Sequence, residues 1–187
     1  MSEKPAVAGV LRSSDSGSDE EAPVTVHQTP QSIAAALEEV FDMGVQFHGF
    51  TRYLRDYDVV LEATADPRAG IPTQYLRYRF RHCVHAAVTT SVGWDVWRRS
   101  LDDRLLDDRS SADLDGYVWG VEWQENYPGM KLVHESPAAS EWSERIGIPM
   151  FEMHAELNAH EIRLVFSGLE VRELESGWTP YSVGDAP

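Results

Sequence analysis

The stretch Phe151–Val171 reads FEMHAELNAHEIRLVFSGLEV and has the clearest periodicity in the chain. Apolar and polar residues alternate from its start, and after a polar break the alternation resumes at Ile162. Alternation with a period of two is typical of a half-buried strand, so the stretch predicts two strands joined by a short turn. Leu169 and Val171 follow Ser167-Gly168 and predict a third strand of the same antiparallel meander.

Similar patterns lie earlier in the chain. Alternating runs predict further strands at residues 57–64, 75–90 and 117–123. Thr29-Pro30 and Ser136-Pro137 each place an N-cap before a proline and so predict helix starts, with Gly44 and Gly147 as the helix ends. We therefore expect an α+β fold, mainly an antiparallel sheet of about five to seven strands with two or three helices packed on it.

Composition divides the 187 residues into three parts. Residues 1–28 contain SSDSGSDEEAP and scattered prolines, which offer too little apolar surface to offset the entropy lost on ordering. They predict a disordered N-terminal tail. Residues 29–175 are expected to form one domain, and the polar, aperiodic residues 176–187 a C-terminal tail.

Charge and cysteine content limit the function. With 16 basic and 31 acidic side chains the net charge is −15, which opposes binding to nucleic acid or to an anionic membrane. Cys83 is the single cysteine, so neither an intrachain disulfide nor a multi-cysteine zinc site is possible. Neither a signal peptide nor a membrane span is legible, so we expect a cytoplasmic protein. The oligomeric state stays open.

The segment His82-Cys83-Val84-His85 combines a thiol with imidazoles, the pairing that activates a cysteine nucleophile. Neighbouring residues of a strand point to opposite faces, so only Cys83 and His85 are expected to share a side. A buried cysteine beside a hydrogen-bonded histidine is the interpretation we favour. We assign no catalytic residue, and an enzyme is the less favoured class.

Two patterns contain possible metal ligands, but neither supplies a complete metal site. Residues Ser111–Glu122 match a calcium loop in part, but a serine occupies the first ligand position and the second half reads as a strand. His154 and His160 are expected to lie near each other across a hairpin, without a third ligand for zinc. We predict no metal and no cofactor.

Arg77, Arg79 and Arg81 form a row on one face of the predicted strand 75–90. Such a row can clamp a carboxylate or phosphate, and together with His85 it defines a candidate small-ligand site. This is the alternative function, a small-ligand-binding protein or an enzyme, to which Cys83 and His48 would also contribute. Pairing of the arginines with acids on neighbouring strands is the interpretation we favour.

An acidic segment from Asp102 to Asp115 holds six acids against two arginines. Such a segment can steer a basic protein partner, and a neighbouring tryptophan can anchor the contact. The candidate partner-binding residues are Asp107, Asp108, Asp113, Asp115 and Trp119.

The strings RDYDVVLEATAD, YRFRHCVHAAV, DLDGYVWGVEW and EIRLVFSGLEV resemble those of the YxiG-like proteins, a bacterial group with many actinobacterial members. HGF, DYDVVLE and RLVFSGLEV also resemble the small α+β immunity proteins that accompany bacterial toxins. The resemblance implies a non-catalytic domain that binds a protein, and it brings no functional residues to this chain. We therefore expect a protein-binding domain, of the immunity type that neutralises a toxin.

Overall fold

Two antiparallel sheets and two helices are seen in this computed structural model, which describes residues 24–51, 54–63, 74–94, 98, 124–158, 160–175 and 178. The strands are β1 (Thr25–His27), β2 (Gly44–Phe50), β3 (Tyr57–Ala63), β4 (Gln74–Arg81), β5 (His85–Thr90), β6 (Gln124–Glu125), β7 (Gly129–Leu132), β8 (Phe151–Glu156), β9 (His160–Phe166) and β10 (Gly168–Leu174). The helices are α1 (Pro30–Glu38) and α2 (Pro137–Ile146).

The first sheet has the strand order β1-β10-β4-β3-β2-β6 and the second has the order β5-β9-β8-β7. All of these pairings are antiparallel. An α+β fold with mainly antiparallel strands is therefore confirmed. The expectation of a single sheet of about five to seven strands is wrong, because the amphipathic strands bury their apolar faces against a second sheet.

The chain passes between the sheets at two places that lie side by side. β4 leads into β5 of the other sheet through His82, whose φ is 46°, and β9 leads into β10 through Ser167. The backbone N–H of Ser167 donates to the Arg81 carbonyl, and that of Val84 donates to the Val165 carbonyl, each at 2.9 Å. The two segments thus stay paired through the bend.

These crossings correct two predictions. Residues 75–90 form two strands in different sheets, because the turn at His82 interrupts the extended run. The hairpin of β8 and β9 is confirmed, but Leu169 and Val171 leave it and pair with β4 and β1. Alternation shows which face of a strand is buried, and it does not show which strand is the neighbour.

The helix starts agree with the predicted caps. The Thr29 hydroxyl accepts a hydrogen bond from the Ser32 N–H at 3.2 Å, and the Ser136 hydroxyl accepts one from the Ala139 N–H at 3.0 Å. Gly147, at a φ of 79°, ends α2 as expected. Helix α1 is shorter than predicted: it ends at Glu38, and Gly44 is already the first residue of β2.

The inner faces of the two sheets and one face of α1 share the main core. Its largest fully buried side chains include Tyr78, Phe80, Phe166, Ile33, Leu37 and Leu61. The Tyr78 hydroxyl donates to the Ala36 carbonyl at 2.9 Å and so ties α1 to the first sheet. A smaller cluster of Ala139, Met150 and Val165 lies between α2 and the outer face of the second sheet.

Residues 25–27, which composition assigns to the N-terminal tail, form β1 instead. They pair with residues 169–171 and so satisfy backbone groups at the edge of β10. The strand predicted at residues 117–123 lies outside the described residues. Among the residues that are described, no helix has the length and apolar character needed to cross a membrane.

Candidate functional site

A groove of about 660 Å³ runs between α1 and β7. One wall is a stripe at helical spacing on α1 and the turn after it, consisting of Ala34, Leu37, Glu38 and Phe41. The other wall consists of residues 128–132 and His134. The floor is apolar, since Leu37 is 1% exposed and Met130 is 3% exposed. The groove therefore offers an apolar floor with charged side chains, Glu38 and Lys131, at its rim.

β7 borders this groove with an edge that no other described strand pairs. It pairs with β8 on one side and, in the part of the chain that is described, with no strand on the other. The Val133 N–H donates to the Glu152 carbonyl at 2.8 Å, and hydrogen-bonded pairs alternate along an antiparallel ladder. The N–H and C=O groups of Met130 and Leu132 consequently point away from β8, where an added strand could bind them.

The loop after α1 is fixed to the segment before β7. Buried Asn126 donates its side-chain amide to the Val40 carbonyl at 2.7 Å, and its backbone N–H donates to the Met43 carbonyl at 2.9 Å. This arrangement places Phe41 beside Tyr127, with ring centroids 5.7 Å apart. Both rings are more than half exposed, so they form an aromatic rim at one end of the groove.

The arginine row lies on the outer face of the first sheet. Arg79 on β4 makes a bidentate pair with Asp58 on β3, from Nε to Oδ1 at 2.8 Å and from Nη2 to Oδ2 at 3.0 Å. Arg81 Nη1 lies 3.0 Å from Glu170 Oε1 on β10. Pairing with acids of neighbouring strands is thus confirmed for these two arginines, and Arg77 is the member of the row for which the described residues supply no such pair.

The structure does not bring His85 and Cys83 to this row. His85 is exposed on β5, in the other sheet, whereas Cys83 is buried in the main core and donates its thiol to the His85 carbonyl at 3.2 Å. Burial raises the pKa of Cys83 to about 12, so the thiol is protonated at neutral pH. The expectation that the two side chains share a face is wrong, because the chain turns at His82 before β5 begins.

His48 lies away from the arginine row, at the end of the gap between the two sheets. Its ring faces that of His160 with centroids 6.3 Å apart, and its Nδ1 lies 2.8 Å from the Tyr57 hydroxyl. Burial, and secondly the neighbouring His160, lower the pKa of His48, and burial also lowers that of His160. The expected closeness of His154 and His160 is wrong, since they lie on opposite faces of their hairpin.

Several predicted residues cannot be placed. The acidic candidates Asp107, Asp108, Asp113 and Asp115, with Trp119, lie outside the described residues, as does the partial calcium loop Ser111–Glu122. Within the ranges that are described, no group of three or more His, Cys, Asp or Glu side chains is arranged to hold a metal ion.

The sequence did not predict the groove, although the residues of one wall follow a recognisable helical spacing. Ala34, Leu37 and Phe41 recur at spacings of three and four, which predicts one helical face. The opposite wall, at β7, lies some ninety residues further along the chain, so only the fold brings the two together.

Fold and groove together define a class of protein, an antiparallel α+β domain with an apolar groove beside the edge strand of its described second sheet. The chain belongs to the YxiG-like protein family, whose model matches residues 29–184. No curated protein and no solved structure shows a significant match.

Proposed function

We propose that this YxiG-like protein is a non-catalytic binding domain whose ligand is another protein, and that an extended segment of that partner binds in the groove between α1 and β7. The observation that supports the proposal is the apolar groove beside β7, whose outer edge pairs with none of the strands that the structure describes. Extended peptides bind such edges by adding a strand to the sheet.

The backbone of β7 supplies the affinity in this arrangement. The outward N–H and C=O groups of Met130 and Leu132 bind the main chain of the partner segment, as in any antiparallel or parallel ladder. Main-chain bonds of this kind are independent of the partner's side chains. Selectivity therefore comes from the groove.

Alternate side chains of the bound segment face α1. They meet Ala34, Leu37 and Met130, which favour apolar residues, and the exposed rings of Phe41 and Tyr127 at one end. Exposed aromatic residues at the rim of an apolar groove are typical anchors of protein interfaces. We expect partner segments in which apolar residues occupy every second position.

Charge favours a basic partner. The chain carries a net charge of −15, and Glu38 lines the groove, with exposed Glu39 and Asp42 following it in the chain. An excess of negative charge raises the association rate with a basic protein and repels an acidic one. The residues of the partner segment that face solvent are accordingly expected to be Lys or Arg.

A basic toxin neutralised by this chain is the partner that we propose in particular, following the resemblance to immunity proteins. The buried free thiol of Cys83 suits a reducing compartment, and we place the function in the cytoplasm.

The proposal is tested by selecting displayed random dodecamer peptides on the full chain and measuring their dissociation constants by calorimetry. Ala34→Arg fills the groove while keeping a good helix former, and Ala35→Arg puts the same charge on the exposed side of α1. We expect selected peptides to alternate apolar and basic residues and to bind Ala34→Arg about tenfold or more weakly, which corresponds to about 1.4 kcal/mol.

Equal binding to the wild type, Ala34→Arg and Ala35→Arg proteins would exclude the groove as the binding site. Selection of acidic peptides would contradict the charge argument. Failure of all peptides to bind would overturn the proposal of an extended partner segment.

A further inference from the structure

Arg77 differs from the other arginines of its row. It lies on the outer face of the first sheet between Val60 on β3 and Arg172 on β10, so neither residue opposite it in the register is an acid. Arg79 and Arg81, in contrast, both have acidic partners. The row therefore contains a cation whose cross-strand neighbours do not neutralise it.

The acids diagonal to Arg77 in the register already bind other groups. Asp58 makes its bidentate pair with Arg79, and Glu170 pairs with Arg81. Glu62 accepts a hydrogen bond from the Gln46 side chain at 2.6 Å. These carboxylates favour the positive charge of Arg77, but their hydrogen bonds and ion pairs go to other side chains.

The guanidinium of Arg77 is half-buried, and its Nε is buried without a hydrogen-bond partner among the described residues. Burial, followed by the charges of Arg79 and Arg172, lowers the pKa of Arg77 to about 10. The group still carries its charge at neutral pH. A charged group with a buried donor that lacks an acceptor is unfavourable. Nε itself is closed to solvent, so an external oxyanion would meet the Nη groups of this partly exposed side chain and offset the charge there.

Apolar side chains lie beside Arg77 on the same face. Val60 is completely buried between Arg77 and Phe47, and the Phe47 ring lies 6.2 Å from the ring of Trp178. Phe47 and Trp178 are both partly exposed. A ligand held at Arg77 would thus meet aromatic surface next to its charged group.

We infer that Arg77 is the anchor of a second, independent site on the outer face of the first sheet, which binds a small carboxylate with an aromatic or apolar body. The carboxylate pairs with the guanidinium fork of Arg77, and the body packs towards Phe47 and Trp178. A guanidinium donates two parallel hydrogen bonds to a carboxylate, which gives the pair both energy and orientation.

Phosphate offers the same fork geometry but fits the surroundings less well. Asp58 and Glu170 lie next to Arg77, and the chain as a whole is strongly acidic, so a dianion is repelled more than a monocarboxylate. The aromatic side chains Phe47 and Trp178 add affinity for a carboxylate that carries an apolar body. Phosphate and acetate have no such body.

Binding is measured by calorimetry and by thermal unfolding of the full chain, with sodium phenylacetate, acetate and phosphate as probes and chloride at equal ionic strength as the reference. The variants are Arg77→Gln, which removes the charge, and Arg77→Lys, which keeps the charge and loses the fork. Arg145→Gln, on the exposed face of α2, matches the change in net charge elsewhere.

We expect phenylacetate to bind more tightly than acetate or phosphate and to raise the melting temperature. Binding should weaken about tenfold or more in Arg77→Gln, weaken less in Arg77→Lys, and stay unchanged in Arg145→Gln. Equal binding to Arg77→Gln and wild type would overturn the inference, as would tighter binding of phosphate or no binding of phenylacetate. Ala34→Arg should bind phenylacetate normally, which separates this site from the groove.

Discussion

The side-chain amide of Asn126 donates a hydrogen bond to the main-chain carbonyl of Val40 at 2.7 Å, and neither residue is accessible to solvent. This bond joins the end of α1 to the segment before β7. The two walls of the groove are thus held at a fixed separation, which a partner segment needs if it is to bind without reordering the site.

Replacement of Asn126 by alanine should therefore loosen the groove. Loss of the amide leaves the buried Val40 carbonyl without this donor, and the free energy of unfolding should fall by about 1–3 kcal/mol. Chemical denaturation measures the change. Gln46→Ala is the control, because its amide bonds Glu62 at an exposed position and its loss should change stability by less than about 0.5 kcal/mol. An equal effect of both substitutions would contradict this role for Asn126.

Acidification should destabilise the protein through His48 and His160. Burial lowers the pKa of both from the ordinary value of 6.5, and the neighbouring His160 lowers that of His48 further. Below pH 6.5 the unfolded chain binds more protons than the folded chain, so this contribution to stability is complete above 6.5 and decreases as the pH falls. Within the described residues, the Tyr57 and Thr90 hydroxyls face the two rings, and both are uncharged in this pH range.

The measurement compares the free energy of unfolding at pH 8 and pH 5.5 for the wild type and the His48→Gln, His160→Gln double variant. These two pH values lie on either side of the ordinary pKa of histidine and above the ordinary pKa of carboxyl groups. We expect the double variant to lose less stability on acidification. An identical pH dependence of the two proteins would show that the histidines do not titrate as their burial requires.

The bidentate pair of Arg79 and Asp58 should contribute measurably to stability. Both side chains are mostly buried, and removal of one leaves the other without its partner. Asp58→Asn should therefore lower the free energy of unfolding by about 1–2 kcal/mol. Glu141→Gln breaks the exposed pair with Arg145 and should change it by less than about 0.5 kcal/mol. The prediction fails if Asp58→Asn has no larger effect than Glu141→Gln.

Cys83 should be unreactive in the folded protein. Its thiol is buried, and its pKa of about 12 leaves almost no thiolate at pH 8. Labelling with a disulfide reagent should be slow in buffer and at least a hundredfold faster in denaturant, where the thiol regains a pKa of about 8.5. Rapid labelling of the native chain would contradict the burial of Cys83 and make its thiol a candidate nucleophile again.

The sequence predicted those parts of the fold that depend on local patterns. Thr29 and Ser136 cap helices because their hydroxyls reach the third residue ahead, and Phe151–Phe166 forms a hairpin because its alternation buries one face. The row of Arg77, Arg79 and Arg81 was likewise visible as a pattern, and so was the tendency of its members to pair with acids.

The two crossings between the sheets could not be predicted in this way. His82 turns the chain at a positive φ, and no glycine at this position marks the turn in the sequence. Its imidazole Nδ1 lies 2.7 Å from the Ser167 hydroxyl, a contact between residues far apart in the chain. The groove has the same origin. Its walls, α1 and β7, become neighbours only when the sheets are assembled, so no local pattern contains it.

Backbone amide hydrogen exchange, followed by NMR with and without a selected peptide, tests the central claim most directly. If the partner segment adds a strand to β7, the outward amides of Met130 and Leu132 become protected on binding, while those of Lys131 and Val133, which face β8, change little. Protection confined to another edge, or no change at Met130 and Leu132 in a saturated complex, would show that the groove between α1 and β7 is not where this protein binds its partner.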